Sequence, residues 1–317
     1  MLTNGLTIRS QIKDSSDDYR ALATLYRYAY PEESVTATGL ELADNARPPE
    51  FVCRRWFAEE NGMIRGVGGF EHWESYFHPD KYLLHIIVAP DFQNRAIGSA
   101  LYDQVLKDLE LRRPQFARAW IQENRRASID FAKHRGFTQI KLKWNIRLEL
   151  KSWSVEPFLE QAETIRRTGI EIKSLAELNK DSGNLSKLYD LYLMTLQSIE
   201  AADTAKVPGF EEFSEQIGHS SDDLFFIALD GDRYVGMWQL ENESVNSLFG
   251  GIMAVDAEYR RRGAAFALAV DGIAQAKHFQ YQTLTVHTDE HNKAILALTK
   301  KMGFTHLPAQ IFFSKQF

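Results

Sequence analysis

Two loops in this chain carry the residue types that hold a phosphate. In the first, Gln93-Asn94-Arg95-Ala96-Ile97-Gly98-Ser99 follows an apolar run, Ile86-Ile87-Val88, that ends at Pro90. In the second, Arg260-Arg261-Arg262-Gly263-Ala264-Ala265 follows a run that ends at Val255. Each leads into an amphipathic helix, with Ile97, Leu101, Val105 and Leu109 on one apolar face and Phe266, Val270, Ile273 and Ala274 on the other. Small residues where a turn enters a helix let a ligand approach the backbone closely. The N–H groups of the first helical turn lack intrahelical partners, and the helix dipole adds positive potential, so such a turn suits a pyrophosphate. The arginines add charge-assisted contacts. The same small residues also let a helix pack tightly on its strand.

The elements that position these loops occur twice. A helical face at Leu22, Leu25, Tyr26 and Ala29 matches one at Leu185, Leu188, Tyr189 and Tyr192. Apolar runs flank Asn61-Gly62 and Asp230-Gly231, dipeptides that favour a type I′ hairpin. The loops correspond at Gln93 and Arg260, and the last helix of each copy stops at Gly-Phe, Gly136-Phe137 and Gly303-Phe304. Glycine there relieves a left-handed C-cap. The offsets lie between 163 and 169 residues, which indicates an internal duplication. Each unit reads strand, helix, hairpin, strand, helix, strand, helix, strand, an α/β order with a mixed sheet. The expected division is 1–150, a connecting segment 151–168 that is not Gly/Ser-rich, and 169–317.

An aromatic followed by Q/R-x-x-G/A-x-G/A after a strand ending in Val resembles the acyl-CoA motif of the GNAT superfamily of N-acyltransferases. Phe92-Gln93 and Tyr259-Arg260 fit it, and the distance from loop to terminal Gly is 43 residues in both copies. The likeness covers nearly the whole chain as a tandem pair. It implies two GNAT-like domains and acetyl-CoA as co-substrate, bound at Val88 and residues 93–99, at Val255 and residues 260–265, or at both. Asn292, in a run similar to the last helix of tandem members, would touch the pantetheine arm by that resemblance; Asn is also a favoured helix N-cap.

The chain departs from the family where many members place a tyrosine as general acid, four residues before the final Gly. Those positions hold Ala132 and Thr299. Ala96 stands where glycine is usual, and Met253 where relatives often carry Thr. The attacking amine must lose a proton, so a base within reach is expected. His287, at the end of LTVHT, is the first candidate and Glu71 the second. His85 alternates with Leu84 and Ile86 and reads as packing. No Cys or Ser sits in a nucleophile setting, which leaves direct attack by the amine. A non-catalytic acyl-CoA-binding module, or one working copy beside a worn one, is the alternative.

Composition narrows the rest. With 317 residues, 44% hydrophobic, 25% charged and a net charge of −6, the chain reads as globular, with neither a nucleic-acid nor a membrane partner. The single cysteine, Cys53, excludes a disulfide framework and a multi-cysteine metal site, reads as a buried inert thiol, and fits a cytoplasmic setting. No metal is expected. The expected acceptor is a small-molecule or peptide amine, recognised by residues 31–49 and 201–221, and the expected state is a monomer or homodimer.

Overall fold

The computed structural model describes residues 5–30, 35–73, 77–178, 182–196, 207–218 and 221–317. Parts of both expected acceptor segments, residues 31–34, 201–206 and 219–220, lie outside these. The chain forms two compact units. Unit 1 comprises residues 1–121, 125–140 and 311–317, and unit 2 comprises 122–124 and 141–310.

Unit 1 opens with β1 (Leu6–Ser10), α1 (Ser16–Ala29) and α2 (Ala37–Ala46). Ser15 and Thr36 start the two helices by accepting the N–H groups of Asp18 and Gly39. The hairpin β2 (Cys53–Glu60) and β3 (Met63–Glu71) follows, then β4 (Lys81–Val88), α3 (Ile97–Glu110), β5 (Phe116–Gln122) and α4 (Arg126–Lys133). The sheet runs β1-β2-β3-β4-β5, antiparallel except for the parallel pair β4–β5. Asn61 and Gly62 both take positive φ, 53° and 73°, as a type I′ turn needs.

Unit 2 repeats this order. After β6 (Thr138–Glu149) and α5 (Leu159–Arg166) come β7 (Ile170–Ser174), α6 (Leu175–Leu178), α7 (Ser182–Leu196) and α8 (Phe210–Gly218). The hairpin β8 (Phe225–Asp230) and β9 (Arg233–Ser244) leads to β10 (Ser247–Val255), α9 (Ala264–His278), β11 (Thr283–Asp289), α10 (Lys293–Met302), the short β12 (Thr305–His306) and β13 (Gln310–Gln316). Its sheet runs β6-β11-β10-β9-β8-β7, with β10–β11 the parallel pair. The hairpin turn differs from the expected type: Asp230 pairs with Arg233, and only Gly231 has positive φ, the placement a type II′ turn uses. Both Gly-Phe stops take the expected form. Gly136 and Gly303 have φ of +81° and +87°, and the Phe137 and Phe304 N–H groups reach back to Ala132 and Thr299.

The mixed α/β sheet is as the sequence implies. The packing units are not cut where the repeat is. The last strand of the first copy, β6, enters unit 2 and pairs with β11, while the last strand of the chain, β13, belongs to unit 1 beside β5. The segment 151–168 also belongs to unit 2, because Trp153, Ala162 and Ile165 are buried in its core.

Candidate active site

In both units the parallel strands separate partway along. The β4–β5 pairing stops at Leu83↔Arg118, although β4 continues to Val88 and β5 to Gln122. The β10–β11 pairing stops at Gly250↔Val286, although these strands continue to Val255 and Asp289. A bulge against β9 between Gly250 and Met253 turns β10 away at the same level. Backbone groups beyond the fork have no strand partner across the gap, so a ligand lying there can take them.

In unit 2 that gap opens into a cleft of about 130 Å³. Gly251 and Met253 line it from β10, and Val286, His287 and Thr288 line it from β11. Ala269 and Ile273 of α9, and Ile295, Leu298 and Met302 of α10, supply an apolar wall. Asn292 lies at its rim: its Oδ1 accepts the Ile295 N–H at 3.2 Å, so it is an N-cap, and its amide nitrogen has no partner among the described residues. Thr299 also lines the cleft, but its hydroxyl donates to the Ile295 and Leu296 carbonyls. Burial, aided by the Lys143 ammonium, pushes the His287 imidazole down to about 4, so it is neutral at pH 7. Phe249 packs edge-on against it at 4.9 Å.

The two loops adopt one backbone shape on different supports. Ala96 (φ 62°) and Gly263 (φ 94°) are the left-handed residues that start α3 and α9, and neither helix has a side-chain N-cap. Gln93 donates to the Val88 carbonyl at 3.1 Å, and Arg260 is turned to the equivalent Val255 carbonyl at 3.4 Å. Asn94, Arg95, Arg261 and Arg262 are exposed. Arg95 and Arg65 both pack on Phe92, and Arg262 packs on Tyr259. Val88 and Val255 end β4 and β10, and residues 93–99 and 260–265 carry the chain through a turn into the first residues of α3 and α9, one set in each unit.

Two features of these loops were not visible in the sequence. In unit 2, Ile165 of α5 lies 2.5 Å from where a Cβ on Gly263 would sit, so that glycine is explained by φ and packing without a ligand. In unit 1, Phe131 of α4 lies 3.4 Å from the corresponding point on Gly98. Arg135 stacks 3.4 Å over the Phe131 ring and donates to Ser99 Oγ at 2.8 Å. The first turn of α3 is thus covered within its own unit.

Glu71 ends β3, opposite Cys53 and Leu83, in a charged network of unit 1. Its Oε2 accepts from Arg47 at 2.7 Å and sits 3.6 Å from Arg55, which in turn grips both oxygens of Asp44. The Cys53 sulfur is 3.6 Å from the same oxygen, and burial pushes the thiol up to about 12. That matches the inert reading of Cys53. His85 is half-buried beside Tyr26, its enclosed Nε2 has no partner among the described residues, and desolvation pushes it down to about 4. Among the described residues no group of His, Cys, Asp and Glu is arranged to hold a metal, and no helix is long and apolar enough to cross a membrane.

The model of the acetyltransferase (GNAT) family matches residues 17–137 and 185–304, once in each copy. The chain belongs to this family. As a GNAT protein it is a tandem acetyltransferase, and its two family matches coincide with the duplication. Over 254 residues it is 23% identical to the mycothiol acetyltransferase of Geodermatophilus obscurus, spanning 77% of this chain and 76% of that protein. Its fold is similar to that of a GCN5-related N-acetyltransferase from Sphaerobacter thermophilus, with TM-score 0.72 at 13% identity over 100% of this chain and 97% of that one. It is also similar to a tandem GNAT protein from the clavulanic acid biosynthesis pathway, with TM-score 0.66 at 13% identity over 98% of each chain.

Proposed function

We propose that the chain is a cytoplasmic N-acetyltransferase that moves the acetyl group of acetyl-CoA to an amine by direct attack, with unit 2 as its working copy. One observation carries this reading: the cleft at the β10–β11 fork, with apolar walls from α9 and α10 and His287 at its edge. A narrow apolar channel suits the thin pantetheine arm, Asn292 offers it an unused amide donor, and the exposed Arg260–Arg262 run offers charge to the pyrophosphate. The repeat would then run 1–150 and 169–317, with 151–168 serving the second copy.

The amine nitrogen bonds to the acyl carbon, the sulfur leaves as thiolate, and the proton lost by nitrogen ends on that sulfur. N–H groups freed beyond the fork polarise the thioester carbonyl. His287 is neutral and able to accept a proton, but at a pKa of about 4 it is a weak base. Its role is to take the proton from the tetrahedral adduct, whose nitrogen is more acidic than the free ammonium. Thr299 has its hydroxyl committed to backbone carbonyls, so no side chain is assigned as acid for the thiolate. Glu71, held by two arginines, is assigned to the architecture of unit 1.

The test is thiol release from acetyl-CoA across an amine panel, with acetyl-CoA affinity measured by calorimetry. Leu298→Phe narrows the cleft of unit 2 and is expected to weaken acetyl-CoA binding about tenfold, ~1.4 kcal/mol. Phe131→Leu, at the matching position of unit 1, is expected to leave it within twofold. The opposite pattern moves the active centre to unit 1, and acetyl-CoA binding to neither form sinks the reading.

A further inference from the structure

The sheet of unit 2 has a second face near the fork, and its chemistry is unlike that of the cleft. Residues directly opposite in paired strands share a face. Register therefore places Arg147 beside Thr285, Asn145 beside His287, and Lys143 beside Asp289. The same face continues through Phe249, which pairs with Thr285 on one side and Glu241 on the other. The alternate residues, Ile146, Leu148, Leu284, Val286, Leu248 and Leu240, are buried in the core with α9. A polar face lies back to back with an apolar one, and the two meet at Gly251 and His287, where the strands part.

This polar face is unfinished. Asn145 Oδ1, Arg147 Nε and Thr285 Oγ1 are buried and have no hydrogen-bond partner among the described residues, and Thr285 is only 4% exposed. Buried polar atoms are nearly always satisfied, so three on one small patch point to a missing polar group. Two cations on the patch also lack a counterion of their own among the described residues. Arg147 makes no ion pair among the described residues. Lys143 faces Asp289, but that carboxylate is taken by Lys141 at 3.3 Å and by the His291 and Asn292 N–H groups. Burial and the nearby Lys141 lower the Lys143 pKa, a strain that a bound anion would relieve. At the other end of the patch the charge is negative. Glu241 Oε1 lies 2.9 Å from the point a Cβ on Gly251 would occupy, beside the fork.

We infer that this face receives the acceptor of the reaction proposed above, and that the acceptor is an amine carrying an anionic group, a carboxylate or a phosphate. The amine sits at the fork between Glu241 and His287, and the anion sits at Arg147 and Lys143 on β6. Both cations are diagonal neighbours of His287, about 7–8 Å away between backbones. Side chains shorten that gap, so the anion lies a few bonds from the amine. The inference rests on the acetyltransferase reading for its chemistry and on the unpaired groups of β6 and β11 for its charge.

The experiment uses the full chain and matched pairs of amines: glucosamine with glucosamine 6-phosphate, ethanolamine with phosphoethanolamine, and β-alaninamide with β-alanine. Two quantities are read, CoA thiol release and calorimetric binding of each amine without acetyl-CoA. The charged member of at least one pair is expected to exceed its neutral partner tenfold or more, and the phosphate and carboxylate arms show which anion is preferred. Arg147→Gln is expected to erase that advantage through KM, and Arg147→Lys to restore part of it. Lys143→Gln gives a second, independent loss should the arginine variant fold poorly. Equal binding of charged and neutral members, no binding of either anion, or an advantage that survives Arg147→Gln overturns the inference. Turnover of neutral amines without charge preference removes the anion site and keeps the acetyltransferase. Anion binding that is lost in Arg147→Gln, with no thiol release from any amine, keeps the site and removes the enzymatic reading.

Discussion

The two copies fill the same layer of core with opposite choices. In unit 1 the strand residue is Gly68, and a Cβ on it would meet Ile86 at 2.8 Å and Val105 at 3.2 Å. In unit 2 the residue at that register is Trp238, and the helix residue facing it is Gly272, where a Cβ would meet the indole at 2.8 Å. Glycine with valine has become tryptophan with glycine, and the volume between sheet and helix is kept. The layer between the last two helices changes in the other direction. Phe131 and Arg135 close over the start of α3, whereas Leu298 and Met302, at the same positions, line the open cleft of unit 2. A duplicated fold tolerates such exchanges because each one is compensated locally, and the exchange on the last helix covers the helix start in unit 1 where its counterparts line a cleft in unit 2.

The largest test of this comparison is to rebuild one copy's core in the other. Trp238→Gly empties a buried indole site and is expected to cost about 4 kcal/mol or more in urea unfolding. Adding Gly272→Val to that variant recreates the unit 1 pair and is expected to recover part of the loss. Strictly additive losses would show that the two positions do not share one space, and the compensation argument would fail.

A second test separates the two histidines. Both His85 and His287 are pushed down to about 4, His85 by burial with Arg55 and Arg47 nearby, and His287 by burial with Lys143. The unfolded chain binds protons at each histidine below about 6.5, where the folded chain does not until about 4. Stability from these groups is therefore complete above pH 6.5 and falls as the pH drops towards 4. Each contributes a slope of at most about 1.4 kcal/mol per pH unit. His85→Asn and His287→Asn are each expected to flatten part of the acid limb. An anionic amine on unit 2 is expected to shift only the His287 part, upward in pKa, because it offsets Lys143. Equal shifts in both would break the distinction.

These differences mark what the sequence could and could not carry. The duplication, the hairpins and the Gly-Phe stops are local signals, since Gly136 and Gly303 declare their φ by residue type. The loops were legible for the same reason. The exchange of β6 and β13 was not, because a strand's own residues do not name its partner. The ion-pair network around Glu71 was not legible either, because Arg47 and Arg55, 24 and 16 residues away, become its neighbours only in the fold. The polar row Lys143, Asn145, Arg147 was missed although it alternates with Trp144, Ile146 and Leu148; period-2 alternation was present, and its polar half was not questioned.

The smallest test concerns one backbone shape carried by two residues. Ala96 and Gly263 both occupy the left-handed region, at 62° and 94°. For alanine that conformation costs about 1–2 kcal/mol, and for glycine almost nothing. Ala96→Gly relieves the strain but gives the unfolded chain more freedom, which returns about 0.4–1 kcal/mol. The net expectation is a gain of about 0.5–1 kcal/mol in the urea unfolding of unit 1, close to the limit of measurement. The reverse exchange, Gly263→Ala, adds the strain and also drives a methyl into Ile165, where 2.5 Å is available. It must destabilise, and by more than Ala96→Gly stabilises. If both substitutions are neutral, φ at these two loops is free to relax, and the claim that one rigid backbone shape was inherited by both copies is wrong.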